Sequence, residues 1–154
     1  MLRLILIGKT TDKHLDALIA DYRQRLTHYL PFDIKIIPDL KQGKLSFEQQ
    51  KTLEGERLLD AVPPNARLIL LDERGTQFRS VDFAAYVQKQ MAATPNIVFA
   101  IGGPYGFSQA VYNRADDMLS LSKMTFSHQM IRLLFIEQLY RAMTILRNEP
   151  YHHE

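Results

Sequence analysis

The residues best placed to do chemistry in this chain are glycines and serines in turns that follow apolar runs. Gly102-Gly103-Pro104-Tyr105-Gly106 comes directly after Ile97-Val98-Phe99-Ala100-Ile101. Glycine lets a backbone take positive φ or come close to a ligand, and proline holds the bend. Open α/β sheets bind ligands at such loops, outside the carboxyl ends of their strands. A plain strand-to-helix turn has the same composition. Two more polar stretches stand after apolar runs: Asp72-Glu73-Arg74-Gly75, and Ser122-Lys123-Met124-Thr125-Phe126-Ser127. Gly8-Lys9-Thr10 invites a phosphate-loop reading, but the residue five positions before Gly8 is Arg3, so the glycine cradle is missing. His152-His153-Glu154 invites a metal, yet adjacent histidines rarely reach one ion, and no metal is expected.

The elements that must carry these turns alternate. Apolar runs at 2–7, 32–37, 67–71, 97–101 and 118–121 read as strands, and the nearly continuous ones as strands buried on both faces. Helical spacing covers 12–30, through Leu15, Leu18, Ile19, Tyr22, Leu26 and Tyr29. Ser46 and Gln49 form a capping box for a helix to about Val62, stopped by Pro63-Pro64. A helix over 80–93 spaces Phe83, Val87 and Met91 at i, i+4 and i+8, and Ser108 caps a short helix to about Arg114. The last helix, over 128–147, has 12 apolar residues among the 17 from Met130 to Leu146. That is more than a single sheet-facing stripe needs, so one side is expected on the sheet and the other on a second copy. Glu137 and Arg141 are spaced to pair, and Pro150 forces the tail out of helix. Lys41-Gln42-Gly43-Lys44 reads as a polar turn. Strands alternating with helices give an α/β domain with a mostly parallel sheet, and the loops 72–76, 102–107 and 122–127 all leave strand ends. Their convergence is the expectation to test.

The bulk composition sets outer bounds. At 154 residues, 1–154 is expected to be one domain with a sizeable core. Nineteen basic against 17 acidic side chains leave a net charge of +2, too small to mark a nucleic-acid binder by itself. With no cysteine there are no disulfides and no thiolate chemistry. No apolar run approaches a membrane span, so a soluble, cytoplasmic protein is expected. The pattern alone also admits a flavodoxin-like nucleotide or flavin binder.

Four blocks are more specific: LLDERG at 70–75, IGGPYGFS at 101–108, LSLSKMTFSHQMIRLLFIEQLYRA at 119–142, and the terminal PYHHE. Together, in order and over the whole length, they resemble the RlmH family of SPOUT-class methyltransferases. The resemblance implies a trefoil α/β knot, a homodimer, and methylation of N3 of a pseudouridine in 23S ribosomal RNA, with the assembled ribosome as substrate. It also implies an S-adenosylmethionine site at Leu71, Gly102, Gly103 and Ser122, Lys123, Met124, Thr125, Phe126 and Ser127, with Leu71 and Met124 as apolar walls for the adenine. Tyr151 and His152 become the candidate catalytic residues near N3–H, with Arg141 orienting the base or a phosphate, and His128 a further candidate. Phosphate contacts are expected among Lys9, Lys13, Arg74, Arg79, Lys123 and Arg132. The chain departs from the family pattern at Ser127, where proline is common, and at His153, where arginine or lysine is common. A ribosome-associated protein that keeps the fold without catalysis is the other reading of the same resemblance.

Overall fold

The computed structural model describes residues 1–40, 43 and 45–154. The turn expected at 41–44 therefore lies, apart from Gly43, outside the described residues. The elements run β1 (Leu2–Ile7), α1 (Lys13–Leu26), β2 (Phe32–Ile37), α2 (Phe47–Asp60), β3 (Arg67–Gln77), α3 (Ser80–Ala93), β4 (Ile97–Ile101), α4 (Gln109–Arg114), β5 (Asp117–Ser120) and α5 (Met130–Leu146).

The five strands form one parallel sheet in the order β2-β1-β4-β3-β5. This is the expected α/β class, but not the flavodoxin-like order 2-1-3-4-5, because β3 and β4 have exchanged places. Alternate residues of each strand face opposite cores. Leu2, Leu4, Leu6, Ile69, Phe99 and Ile101 pack under α1, α3 and α5. Ile5, Ile7, Leu68, Leu70, Val98 and Ala100 pack under α2 and α4. Every residue of β4 is buried, as a central parallel strand requires.

Local chemistry sets most boundaries. The Asp12 carboxylate accepts from the amides of His14 and Leu15 to start α1. Ser46 and Gln49 make the reciprocal capping box of α2. Ser108 caps α4 by accepting from the Val111 amide. Two elements differ from the sequence reading. α1 stops at Leu26 rather than near Leu30, because His28 and Tyr29 bond back to Arg25 and Leu26 in tighter turns that still deliver Tyr29 and Leu30 to the core. β3 does not end at Leu71. Leu71 pairs with Leu119, the chain leaves the sheet over 72–75, and Thr76 pairs with Leu119 again.

The two apolar flanks of α5 are taken by α1 and α3 of the same chain. Its wide apolar circumference is thus partly explained without a partner, while Leu133, Leu134, Ile145 and Leu146 stay half-buried.

Candidate functional site

β3, β4 and β5 lie side by side, and the 72–75 excursion of β3 with the loops that follow β4 and β5 encloses one cleft of about 740 Å³. Leu71 and Ile101 form its floor, with Leu119, Phe126 and Ile131 as further apolar wall. The turn after β4 closes on itself. The Gly106 amide donates to the Gly103 carbonyl at 3.1 Å, and Gly106 has φ +78°, a conformation that favours glycine. A Cβ on Gly102 would lie 3.3 Å from the Gly106 backbone and 3.4 Å from the Phe107 ring, so a side chain there packs directly against the turn. Phe107 is buried and anchors the turn into the second core.

The loop after β5 is shaped by its serines. The Ser120 hydroxyl donates to the Ser122 carbonyl at 2.9 Å, and Ser122 Oγ accepts from the Met124 amide at 3.0 Å. Ser127 Oγ accepts from the Met130 amide at 3.0 Å, and the Ser127 carbonyl accepts from Ile131. Ser127 therefore closes the turn that leads into α5, a bond that a proline at this position could not make with its side chain.

The excursion 72–75 supplies the third side. Asp72 accepts from the Tyr112 hydroxyl, from the Arg74 amide at 2.9 Å and from Arg74 Nε at 3.2 Å. Burial alone pushes this carboxyl up, but those hydrogen bonds outweigh it and hold it below the usual carboxylate range. The Arg74 guanidinium lies 4.7 Å from the centre of the Tyr112 ring.

Of the residues expected at a cofactor, Leu71, Gly102, Gly103, Ser122, Thr125, Phe126 and Ser127 all line this one cleft. Lys123 and Met124 do not. Met124 is 77% exposed, and Phe126, not Met124, supplies the wall on that loop. His128 lines the cleft as well.

Tyr151, His152 and Arg141 are absent from the lining. They form a separate cluster against α1 and α5. Arg141 pairs with Glu137 at 2.6 Å and donates to His152 Nδ1 at 3.1 Å. The Tyr151 hydroxyl donates to Glu137 at 2.9 Å and meets the Tyr22 hydroxyl at 3.1 Å. Burial, followed by the bonds to Tyr22 and Glu137, pushes the Tyr151 phenol well above its ordinary value, so it stays protonated. Guanidinium cannot accept, so His152 Nδ1 does, and its proton sits on Nε2. That Nε2 and Arg141 Nε are buried without hydrogen-bond partners among the described residues.

Arg132, a candidate for phosphate, is fully buried. It donates to the carbonyls of Ile7 (2.6 Å), Gly8 (2.9 Å) and His128 (3.2 Å) and to Thr10 Oγ1 (3.1 Å), tying the end of β1 to the start of α5. Helical position gave no sign of this. Sequence reasoning also missed Tyr112 as the partner of Asp72, since nothing local links the two. Arg79 and Arg74 are exposed but paired, with Glu154 and Asp72. Lys9, Lys13 and Lys123 are exposed.

A larger groove of about 960 Å³ lies beside α2, α4 and the β5 edge. Glu48, Glu56, Asp116 and Asp117 line it beside Lys51, Arg74 and Gly75, and it holds none of the glycine turn 102–106. Among the described residues no three His, Asp or Glu side chains are grouped as a metal would need, and no helix is long and apolar enough to cross a membrane.

Comparison with known proteins agrees with this geometry. A family model described as "Predicted SPOUT methyltransferase" matches residues 1–152. The protein named ribosomal RNA large subunit methyltransferase H in Parabacteroides distasonis is 58% identical over 153 residues, 98% of each chain. Proteins of the same name in Christiangramia forsetii and Flavobacterium johnsoniae are 57% and 56% identical, over 99% of this chain and 98% and 99% of theirs. A solved structure, a probable methylase family protein from Haemophilus influenzae Rd KW20, matches with TM-score 0.55 at 14% identity, over 99% of this chain and 70% of that one. At that identity the likeness is one of fold alone.

Proposed function

This chain belongs to the SPOUT methyltransferase family, and we propose that it methylates N3 of a pseudouridine in 23S ribosomal RNA, using S-adenosylmethionine. The observation that carries the reading is the single cleft built by three loops from three neighbouring strand ends. A pocket of this size suits a nucleoside-sized ligand. Its apolar floor at Leu71 and Ile101 suits a flat base, and the serine-rich loop and glycine turn offer backbone and hydroxyl groups to polar edges. The family's trefoil knot comes with membership; strand order does not reveal it.

The methyl group of S-adenosylmethionine sits on a sulfonium and is already activated. The protein's task is to hold N3 in line with it, exclude water and favour loss of the N3 proton. His128, at the cleft, is the side chain of this chain nearest to that task. His152 presents an Nε2–H donor, and the protonated Tyr151 phenol becomes one when it exchanges its bond to Glu137 for a substrate oxygen. We assign them to stabilising the charge that develops on the pyrimidine carbonyls flanking N3, with Arg141 orienting His152. In one chain they stand well away from the cleft: Arg141 is ten residues beyond Ile131 along α5, roughly 15 Å. We therefore place them in a homodimer, the tail of one copy completing the cleft of the other. Arg141 Nε, buried with no hydrogen-bond partner among the described residues, and His152 Nε2, which has only the Glu154 carboxylate at 3.9 Å, support this, because buried donors are rarely left unpaired. We assign the acceptor to 23S rRNA within the assembled ribosome, in the cytoplasm.

Mass spectrometry of 23S rRNA from a deletion strain tests the reaction. Loss of one methylated pseudouridine, restored by the gene, is expected. An unchanged level would leave only a non-catalytic ribosome-binding role. Binding of FMN or ATP in calorimetry, with no binding of S-adenosylmethionine, would remove the methyltransferase reading.

A further inference from the structure

Phe47 is 64% exposed and Tyr105 43% exposed, and the two rings stack on each other with centroids 4.4 Å apart and planes at 28°. Every other aromatic pair among the described residues joins rings that are buried or half-buried. Stacking uses one face of each ring, and this pair leaves most of the Phe47 side chain in water. A large exposed apolar ring at a fixed place is the informative exception among surface residues.

Both rings stand on stiff supports. Phe47 is the first residue of α2, whose start is locked by the Ser46–Gln49 capping box. Tyr105 is at the tip of the turn closed by the Gly106-to-Gly103 hydrogen bond. Tyr105 also lines the cleft of the three loops, so the pair is continuous with it. Arg74, on the same rim, has a side chain 64% exposed and offers a cation to a phosphate beside the rings.

We infer that the Phe47–Tyr105 stack is a nucleobase subsite, taking by stacking a base of the acceptor RNA next to the one whose N3 is methylated. This rests on the RNA methyltransferase reading above and adds a contact to it. N3 lies on the pairing edge of a pyrimidine, so the target must be unpaired and drawn out of its stack before it can react. Its neighbour then loses a stacking partner. A preformed aromatic platform at the mouth of the cleft replaces that partner, and every base has a π-face to offer it.

The test uses full-length protein, ribosomes from a strain lacking the enzyme, and variants at Phe47, whose exposure means truncation leaves the core intact. Phe47→Ala and Phe47→Leu are expected to raise KM for ribosomes about tenfold, with kcat and S-adenosylmethionine affinity by calorimetry close to wild type. Phe47→Tyr and Phe47→Trp, which keep a π-face, are expected to restore KM. Unchanged KM in Phe47→Ala overturns the subsite. Full function in Phe47→Leu reduces it to an apolar contact and also overturns it. A parallel loss of cofactor affinity makes the pair a brace for the glycine turn, with the same consequence. Wild-type protein that methylates no ribosomes fails at the earlier reading instead, which the wild-type assay shows separately.

Discussion

Gly75 is the position where a single methyl group tests how the cleft is built. Its Cα lies against the backbone of β5. A Cβ there would stand 2.6 Å from the Leu119 nitrogen, the Leu119 carbonyl carbon and the Met118 carbonyl carbon, where ordinary contact begins at 3.4 Å. All three are backbone atoms of a paired strand, so none can rotate away. Gly75→Ala must push the 72–75 excursion and β5 apart by close to an ångström. Overpacking of this kind costs about 3 kcal/mol. In a domain of this size that is a fall in Tm of roughly 5–15 °C. Leu71 and Asp72 lie at the root of the excursion and line the cleft, so displacement of this one wall should lower S-adenosylmethionine affinity about tenfold. Gly106→Ala is the control. Gly106 has φ +78° but nothing within 4 Å of its would-be Cβ, so it carries strain without collision, about 1 kcal/mol. Thermal unfolding of the two variants, with calorimetry on each, decides the matter. If Gly75→Ala is no less stable than Gly106→Ala and binds cofactor normally, close approach is not why glycine stands at 75, and the account of this wall is wrong.

Three more outcomes follow from the same geometry. Gly102→Val should abolish measurable cofactor binding in calorimetry while leaving the oligomeric state seen by light scattering unchanged; normal affinity would remove the 102–106 turn from the site. Arg132→Met should lower stability by about 2 kcal/mol or more in urea denaturation, because the Ile7 and Gly8 carbonyls lose their donors; a change within error would mean the buried guanidinium contributes nothing net. Glu54 lies buried behind the glycine turn, and its carboxyl is pushed up by burial, against the opposing hydrogen bond from Gln50. Its charged form is disfavoured in the fold, so its stabilising contribution is present at low pH and is lost as pH rises through the raised value. Glu54→Gln should accordingly be more stable than wild type at pH 8 and equal to it near pH 4 in urea titrations, and the reverse order would contradict the sign.

Much of this arrangement was legible in the chain. β1, β2, α3, β4 and α4 fall where apolar runs, helical spacing and the Ser108 cap put them, because those signals act over a few residues. The three strand-end loops were legible for the same reason, and the cleft follows once the strands lie side by side. What was not legible depends on contacts between distant segments. The return of β3 to the sheet needs Gly75 to rest on β5, while Asp-Glu-Arg-Gly reads locally as a loop. Arg132 looks like one more surface cation until β1 and α5 meet around it. The Glu137–Tyr151–Tyr22 contacts and the Phe47–Tyr105 stack join residues that no local pattern connects.

A crystal structure with S-adenosylmethionine or its demethylated product tests the central claim most directly. The account predicts the adenosine between Leu71, the turn at Gly102 and the loop 122–127, with the sulfur facing the tail of a second copy. Density for the ligand in the acidic groove beside α2 and α4, or anywhere away from those three strand ends, would contradict it.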